Sequence, residues 1–495
     1  MKSYYYTTKL KKMGTWALLP ADLDSWHDEP TSRYFKKLFG FGKQLLNIIT
    51  LYDGGFEHAY VPESYFKKLY SFIRTSTAKD YTSLTRRLKR FYSLRDRLKK
   101  NIPKPSAHEI AKMTSKELIK FYTKNRDWVH QATVFDQFGW IAEEYWSLPM
   151  QEFLVQKCGI PLASPEYHRV LFALIKPYEI STTLQEKRAV LEYALGIHNK
   201  KTTLKAASME LSGLYGWVSV SAYGEPWGEE HYQQELSELL QKPTAYLQQE
   251  YLALKDYEVL RNKDIADIVK KYQISPRDLQ LFIDFGLILD TRNEAEYLVS
   301  YCGYYLLPLY QEISKRLGLS IRQVRLLYEH EIASALKGTL DYQAVLTQRR
   351  RICGYGFDRS MVKRIYFTPQ EAEKLFKHIE KNVKLVNQGA DANKGLCASP
   401  GRVVGRVKIV HAPHENNKVE KGDIMIAVAT MVDHLPAMKN AGAIVTEVGG
   451  LTCHAAVVSR EFGIPCIVGL KDAMKKFNDG DRVEVDAGKG TVRKV

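Results

Sequence analysis

The chain is poor in cysteine. Its six cysteines, Cys158, Cys302, Cys353, Cys397, Cys453 and Cys466, show no CxxC spacing and no pairing pattern. That argues against a disulfide framework and a structural zinc site, and it favours a reducing compartment. No apolar run reaches the length of a membrane span. The stretch Met13 to Ala21 is too short and too irregular for a secretory signal. A cytoplasmic protein with no membrane partner is therefore expected. No repeat recurs at a fixed period, no tract is of low complexity, and residues 1–385 hold no glycine-rich nucleotide loop.

Positive charge is abundant. Seventy-two basic residues face 56 acidic ones, a net charge of +16. Residues 391–495 carry about +3 of this and the rest of the chain about +13. The excess is densest around Arg86-Arg87-Leu88-Lys89-Arg90 and Arg95-Asp96-Arg97-Leu98-Lys99-Lys100. Such a surface attracts nucleotides, nucleic acid or an acidic partner, and its plainer reading is a solvated helix face.

At 495 residues the chain has room for two to four domains. Residues 1 to about 385 read as mostly helical. Leu84, Leu88, Phe91, Leu94 and Leu98 recur at three and four, an amphipathic helix pattern. Met113–Val129, Glu186–Leu195, His231–Tyr257 and Glu371–Val386 have similar character. Ser275-Pro276-Arg277-Asp278 is a helix start between two apolar patterns. It fits an ordinary helix pair, or a DNA-reading helix-turn-helix. Small and polar residues from Asn387 to Gly395 predict a linker. Beyond it come short β-prone runs: Arg402–Val410, Asp423–Val428, Ala443–Thr446, Cys466–Val468 and Arg482–Val485. Helices are expected at Leu435–Asn440 and Thr452–Phe462.

The richest motif is Thr446-Glu447-Val448-Gly449-Gly450-Leu451-Thr452-Cys453-His454. An apolar strand runs into a glycine pair, and a helix then begins with His454 in its first turn. Free amides and the positive dipole end of a helix favour bound anions. Gly449 and Gly450 permit close backbone approach, Thr452 is a candidate N-cap, and Gly463 before Pro465 is a stop signal. The plain alternative is an ordinary helix-start histidine.

The stretch Gly449–Gly469 resembles the active-site signature of the mobile phosphohistidine domain of phosphoenolpyruvate-utilising enzymes. These include phosphoenolpyruvate synthase, pyruvate phosphate dikinase and rifampicin phosphotransferase. Ala398-Ser399-Pro400-Gly401-Arg402-Val403-Val404-Gly405-Arg406-Val407 resembles the opening of that domain. Thr430-Met431-Val432-Asp433 with Pro436-Ala437-Met438 resembles its middle, and Ile464-Pro465-Cys466-Ile467-Val468-Gly469 the strand after its helix. Leu287–Gly338 loosely resembles the helical region that precedes this domain in such chains. The resemblance implies a mostly α-helical N-terminal region followed by an α/β swivelling (β/β/α) domain. The ranges are 1–200, helical and without an assigned role; 201–386, helical and preceding the domain; 387–395, linker; and 396–495, phosphohistidine domain.

By the resemblance, His454 carries a phosphoryl group. Gly449, Gly450 and Thr452 shape its cradle, and Thr430 and Asp433 fix the neighbouring loop. Arg460, at the far end of the helix, is expected to pair with a carboxylate more than to touch phosphate. Cys453 is not expected to be a nucleophile, and no metal ligand is assigned. Residues 1–385 show no ATP-grasp pattern. Only residues 455–495 follow the histidine, too few for a barrel of roughly 250 residues. No cofactor is therefore expected on this chain. Mg²⁺ and ATP are expected on a separate ATP-grasp-type partner that phosphorylates His454 in trans, and a small molecule or protein is expected as acceptor. The aromatic loop from Tyr215-Gly216-Trp217 to Tyr223-Gly224-Glu225-Pro226-Trp227 is the candidate acceptor pocket, or simply a packed turn. The alternatives are a non-catalytic, phosphorylation-dependent regulator or binding module, and a basic helical nucleic-acid binder with a phosphohistidine sensor.

Overall fold

The computed structural model describes residues 10–16, 49–52, 57–62, isolated positions between 67 and 80, then 82–162, 164–220, 225–349, 352–357, 364–382 and 394–495. Two compact units result. One comprises Met1–Ile141 with Cys302–Asp391, the other Ala142–Tyr301 with Ala392–Val495. Among the described residues no helix is long and apolar enough to cross a membrane.

In the first unit the leucine stripe behaves as its spacing predicts. Leu88, Phe91 and Leu98 are fully buried, while Arg86, Lys89, Arg90, Arg97 and Lys100 are exposed. Helices Ser83–Leu88 and Arg90–Asn101 carry the stripe. A five-stranded antiparallel sheet also lies here, in the order Leu10–Trp16, Glu57–Pro62, Ile49–Tyr52, Cys353–Phe357, Arg364–Phe367. The sequence reading had no strand in this region. Its strands are short, and Ile49–Tyr52 pairs with Cys353–Phe357 some 300 residues on, beyond any local pattern. Arg349, the first of three consecutive arginines in the sequence, is nearly buried. It is bonded to both carboxylate oxygens of Glu331 and lies 4.0 Å over the Tyr328 ring.

The second unit contains helices and the C-terminal sheet. The expected His231–Tyr257 helix is two helices, Glu229–Leu240 and Thr244–Lys255, because Pro243 lies between them and cannot continue the first. Ser275 caps the Pro276–Leu317 helix, accepting from the Asp278 amide at 3.1 Å. This 42-residue helix is buried through its middle, from Phe282 to Asn293 with one part-buried position. That is the environment of a core helix, not of a short exposed groove reader.

The C-terminal sheet has seven strands in the order Thr491–Lys494, Arg482–Asp486, Arg402–Ile409, Ile424–Ala427, Ala443–Thr446, Cys466–Val468, Leu396–Ser399. The four central strands run parallel, and antiparallel strands close both edges. Ile424–Ala427 and Ala443–Thr446 are buried at every position, as parallel strands covered on both faces must be. Val407, Ile426, Val445, Ile467, Val483 and Val485 form the core, each side chain worth about 1.5–3 kcal/mol on burial. Of the expected linker, residues 387–393 lie outside the described residues. Gly395 belongs to the sheet's margin: its amide donates to the Gly490 carbonyl at 2.9 Å.

Gly490 has φ +69°, and a Cβ there would sit 2.1 Å from the Gly395 carbonyl oxygen. Gly490→Ala should destabilise the C-terminal domain by about 2 kcal/mol or more, from left-handed strain plus the clash. Urea unfolding followed by tryptophan-independent circular dichroism checks this; an unchanged midpoint would contradict the packing described.

Candidate functional site

Two loops leave the carboxyl ends of adjacent parallel strands, Ile424–Ala427 and Ala443–Thr446, and converge. Such ends are where open α/β sheets place ligands. The Glu447 and Val448 amides donate to the carbonyls of Ala427 (3.1 Å) and Val428 (3.0 Å), which ties the two loops together. Gly449 then adopts φ +126°, and a Cβ on it would meet Cys453 Sγ at 2.8 Å. Gly450 follows in the tight turn, its carbonyl accepting from the Cys453 amide at 3.2 Å.

The helix after this turn spans His454–Phe462. Its N-cap position is Cys453, without a side-chain cap, so Thr452 lies one residue too early to cap. The Thr452 hydroxyl is instead buried and accepts from the Arg292 guanidinium. At the other end Gly463 takes the left-handed conformation at φ +66°, the stop the sequence signalled.

His454 is 3% exposed. Its Nδ1 lies 3.2 Å from Thr430 Oγ1. Its Nε2 is buried with no hydrogen-bond partner. Burial pushes the imidazole pKa down to about 3, helped by the nearby His434 and Arg292. The ring is therefore neutral at physiological pH. Tyr297 sits beside it, ring centroids 6.4 Å apart.

The remaining expected residues fall around this centre. Asp433 is buried in the turn Val432–His434, its carbonyl accepting from Asn416 Nδ2 at 2.6 Å. Its carboxylate lies 3.4 Å from His434 Nδ1, which accepts from the Met431 amide at 3.1 Å. Arg460 is half-buried at the far end of the helix. It donates to the carbonyls of Leu451 (2.9 Å) and Ala398 (3.4 Å) and lies over the Phe172 ring. Those bonds brace the loop before His454 against the first strand of the sheet.

Arg292, Tyr297 and His434 were not anticipated as neighbours of the histidine. The signal for Arg292 was present: Asp290-Thr291-Arg292-Asn293-Glu294 is a polar run inside a helix, and all five residues are buried. Glu294 accepts from the Thr182 amide at 2.7 Å and its hydroxyl at 2.8 Å. Of the aromatic loop, residues 221–224 lie outside the described residues. Trp217 and Trp227 are buried, Trp217 edge-on to Tyr301.

Residues 419–490 match the family of the PEP-utilising enzyme, mobile domain. Curated relatives match part of the chain. A probable phosphoenolpyruvate synthase of Archaeoglobus fulgidus is 50% identical over 116 residues, 23% of this chain and 15% of that protein. The phosphoenolpyruvate synthase of Pyrococcus furiosus is 54% identical over 101 residues, 20% of this chain and 12% of its own. That of Escherichia coli K12 is 41% identical over 104 residues, 20% and 13% of the two chains. The chain thus covers about one seventh of the length of these relatives. Residues 419–490, which include His454 and the four strands from Ile424 to Asp486, are thus a PEP-utilising enzyme mobile domain.

Proposed function

We propose that this protein is a phosphotransferase component in which His454 carries a phosphoryl group on Nε2. The carrying observation is the state of the ring: Nδ1 is held by Thr430, while Nε2 is unpartnered and neutral at the first turn of a helix. With Nδ1–H donated to the Thr430 hydroxyl, Nε2 keeps its lone pair and is a competent nucleophile. That lone pair attacks phosphorus in line, an N–P bond forms, and the P–O bond to the leaving group breaks with its electrons going to the leaving oxygen. Helix N-terminal amides, opened by Gly449 and Gly450, take part of the phosphoryl charge. Thr452, held by Arg292, completes the cradle, and Asp433 and Arg460 hold the loops on either side.

The donor in this reading is a separate ATP-grasp-type protein that supplies Mg²⁺ and ATP, and the acceptor is a small molecule or protein bound by the helical region. The mobile-domain match at 419–490 and the partial matches to phosphoenolpyruvate synthases support the transfer chemistry. A second reading is a phosphorylation-dependent binding module. Burial of Nε2 favours it, because a phosphoryl group added there must change how the domain sits on the helix bearing Arg292.

Incubating the chain with the donor system should give acid-labile, base-stable phosphate, and His454→Ala should abolish it. Label that persists in the variant would refute the site. Discharge of that label by an acceptor supports transfer; phosphorylation-dependent capture of a partner without discharge supports the module. Thr430→Val should keep the fold and slow labelling on the order of tenfold to a hundredfold by freeing the ring. An unchanged rate would remove Thr430 from the site.

His454 also predicts a pH dependence. An exposed imidazole titrates near 6.5, whereas the buried one titrates at about 3. The folded state thus resists a proton that the unfolded chain takes up. Its contribution to stability is complete above pH 6.5 and is lost as the pH falls from there toward 3. The difference in unfolding free energy between the parent chain and His454→Ala should shrink on going from pH 7 to pH 4.5. A pH-independent difference would mean that the ring is not buried in solution.

A further inference from the structure

Away from the histidine, three potential ligands from two neighbouring helices meet. Glu186 lies on Thr182–His198, and His231 and Glu235 lie on Glu229–Leu240. His231 and Glu235 are four residues apart and share a helix face. One ligand atom of each of the three lies within 4.8 Å of the others. Glu186 is fully buried. His231 Nε2 and Glu235 Oε2 are buried atoms with no hydrogen-bond partner, 3.6 Å apart. The Tyr232 hydroxyl, on the same helix, is likewise buried without a hydrogen-bond partner. Trp227 stacks on the His231 ring at 4.2 Å and 18° and fixes its orientation.

A cation already occupies this place. Lys439, on the Leu435–Asn440 helix of the mobile domain, puts Nζ 2.9 Å from Glu235 Oε1 and 3.2 Å from Glu186 Oε2. The one ammonium is shared between two carboxylates, Glu186 buried and Glu235 part-buried. Two carboxylates and one neutral imidazole carry a charge of −2, which a divalent cation balances completely. One nitrogen and two carboxylate oxygens suit Zn²⁺ and its first-row neighbours.

All three ligands belong to the helical side, and the lysine belongs to the domain that must leave it. We infer that Glu186, His231 and Glu235 form a divalent-cation site that Lys439 fills when the mobile domain is docked, so that metal binding and docking exclude one another. The ammonium leaves with its domain and the metal takes the vacated position; no bond to carbon or phosphorus changes. Two adjacent carboxylates without a countercharge are costly, so the metal lowers the free energy of undocking. The metal site does not depend on the phosphohistidine reading. Its coupling to docking rests on that reading, because a carrier must undock.

Equilibrium dialysis against Zn²⁺, with Co²⁺ absorption as a second readout, tests the site on the full chain. Lys439→Ala should bind one additional ion, at least about tenfold more tightly than the parent, since an internal cation no longer competes. Adding Glu235→Gln should abolish that gain. No gain in Lys439→Ala, or a gain indifferent to Glu235→Gln (an adventitious ion only), overturns the site. The second measurement uses the unsubstituted chain and decides alone if Lys439→Ala does not fold. Zn²⁺ should raise the rate of diethylpyrocarbonate modification of His454 several-fold, and Glu235→Gln should remove the effect. Unchanged reactivity overturns the exclusion. Metal binding that persists in His454→Ala while acid-labile phosphate is never found would leave the site standing and reject only the carrier reading.

Discussion

Polar contacts of low exposure join the C-terminal domain to the helices beside it. The part-buried Lys439 lies between Glu186 and Glu235, and the buried Arg292 bonds the buried Thr452. Contacts of this kind demand an accurate fit, because a buried charge without its partner costs several kcal/mol. They add little net stability beyond that, since each charge gives up its hydration. An apolar seam of the same area would hold the two surfaces together without specifying their register. Polar contacts fix the register and leave separation feasible.

The same burial prepares the imidazole. His454 is neutral because little solvent reaches it and because His434 and Arg292 nearby disfavour a proton on the ring. Arg292 acts twice: it anchors Thr452 through a hydrogen bond, and its charge disfavours a proton on the ring. A positive group in that position is unfavourable beside a protonated histidine and favourable beside an anion. The environment therefore favours a neutral ring and would also favour a negative group beside it.

Much of the C-terminal domain was legible from local pattern. Runs such as Ala443–Thr446 are continuous and apolar because both faces are covered, and Gly449 and Gly463 mark positions where the backbone turns through positive φ. The placement of His454 in a first helical turn followed from those signals. Thr452 was misassigned as the cap because its preference for that position is strong, and only its tertiary partner, Arg292, 160 residues away, draws its side chain elsewhere. The Lys439 cluster was illegible for the same reason. Glu186, Glu235 and Lys439 are separated by long stretches of chain, and each alone reads as an ordinary surface charge. The N-terminal sheet escaped because its pairing spans hundreds of residues.

The seven-stranded sheet begins at one edge, with Leu396–Ser399, and ends at the other, with Thr491–Lys494, yet Gly395 bonds to Gly490. Entry and exit therefore lie together, and the sheet is curled enough to bring its margins into contact. A fold whose ends meet is a module in the mechanical and genealogical sense. It can be attached through a single neck, turned about that neck without shearing its own strands, and spliced between unrelated neighbours without rerouting the chain. Partial matches to much longer proteins are what such portability leaves behind.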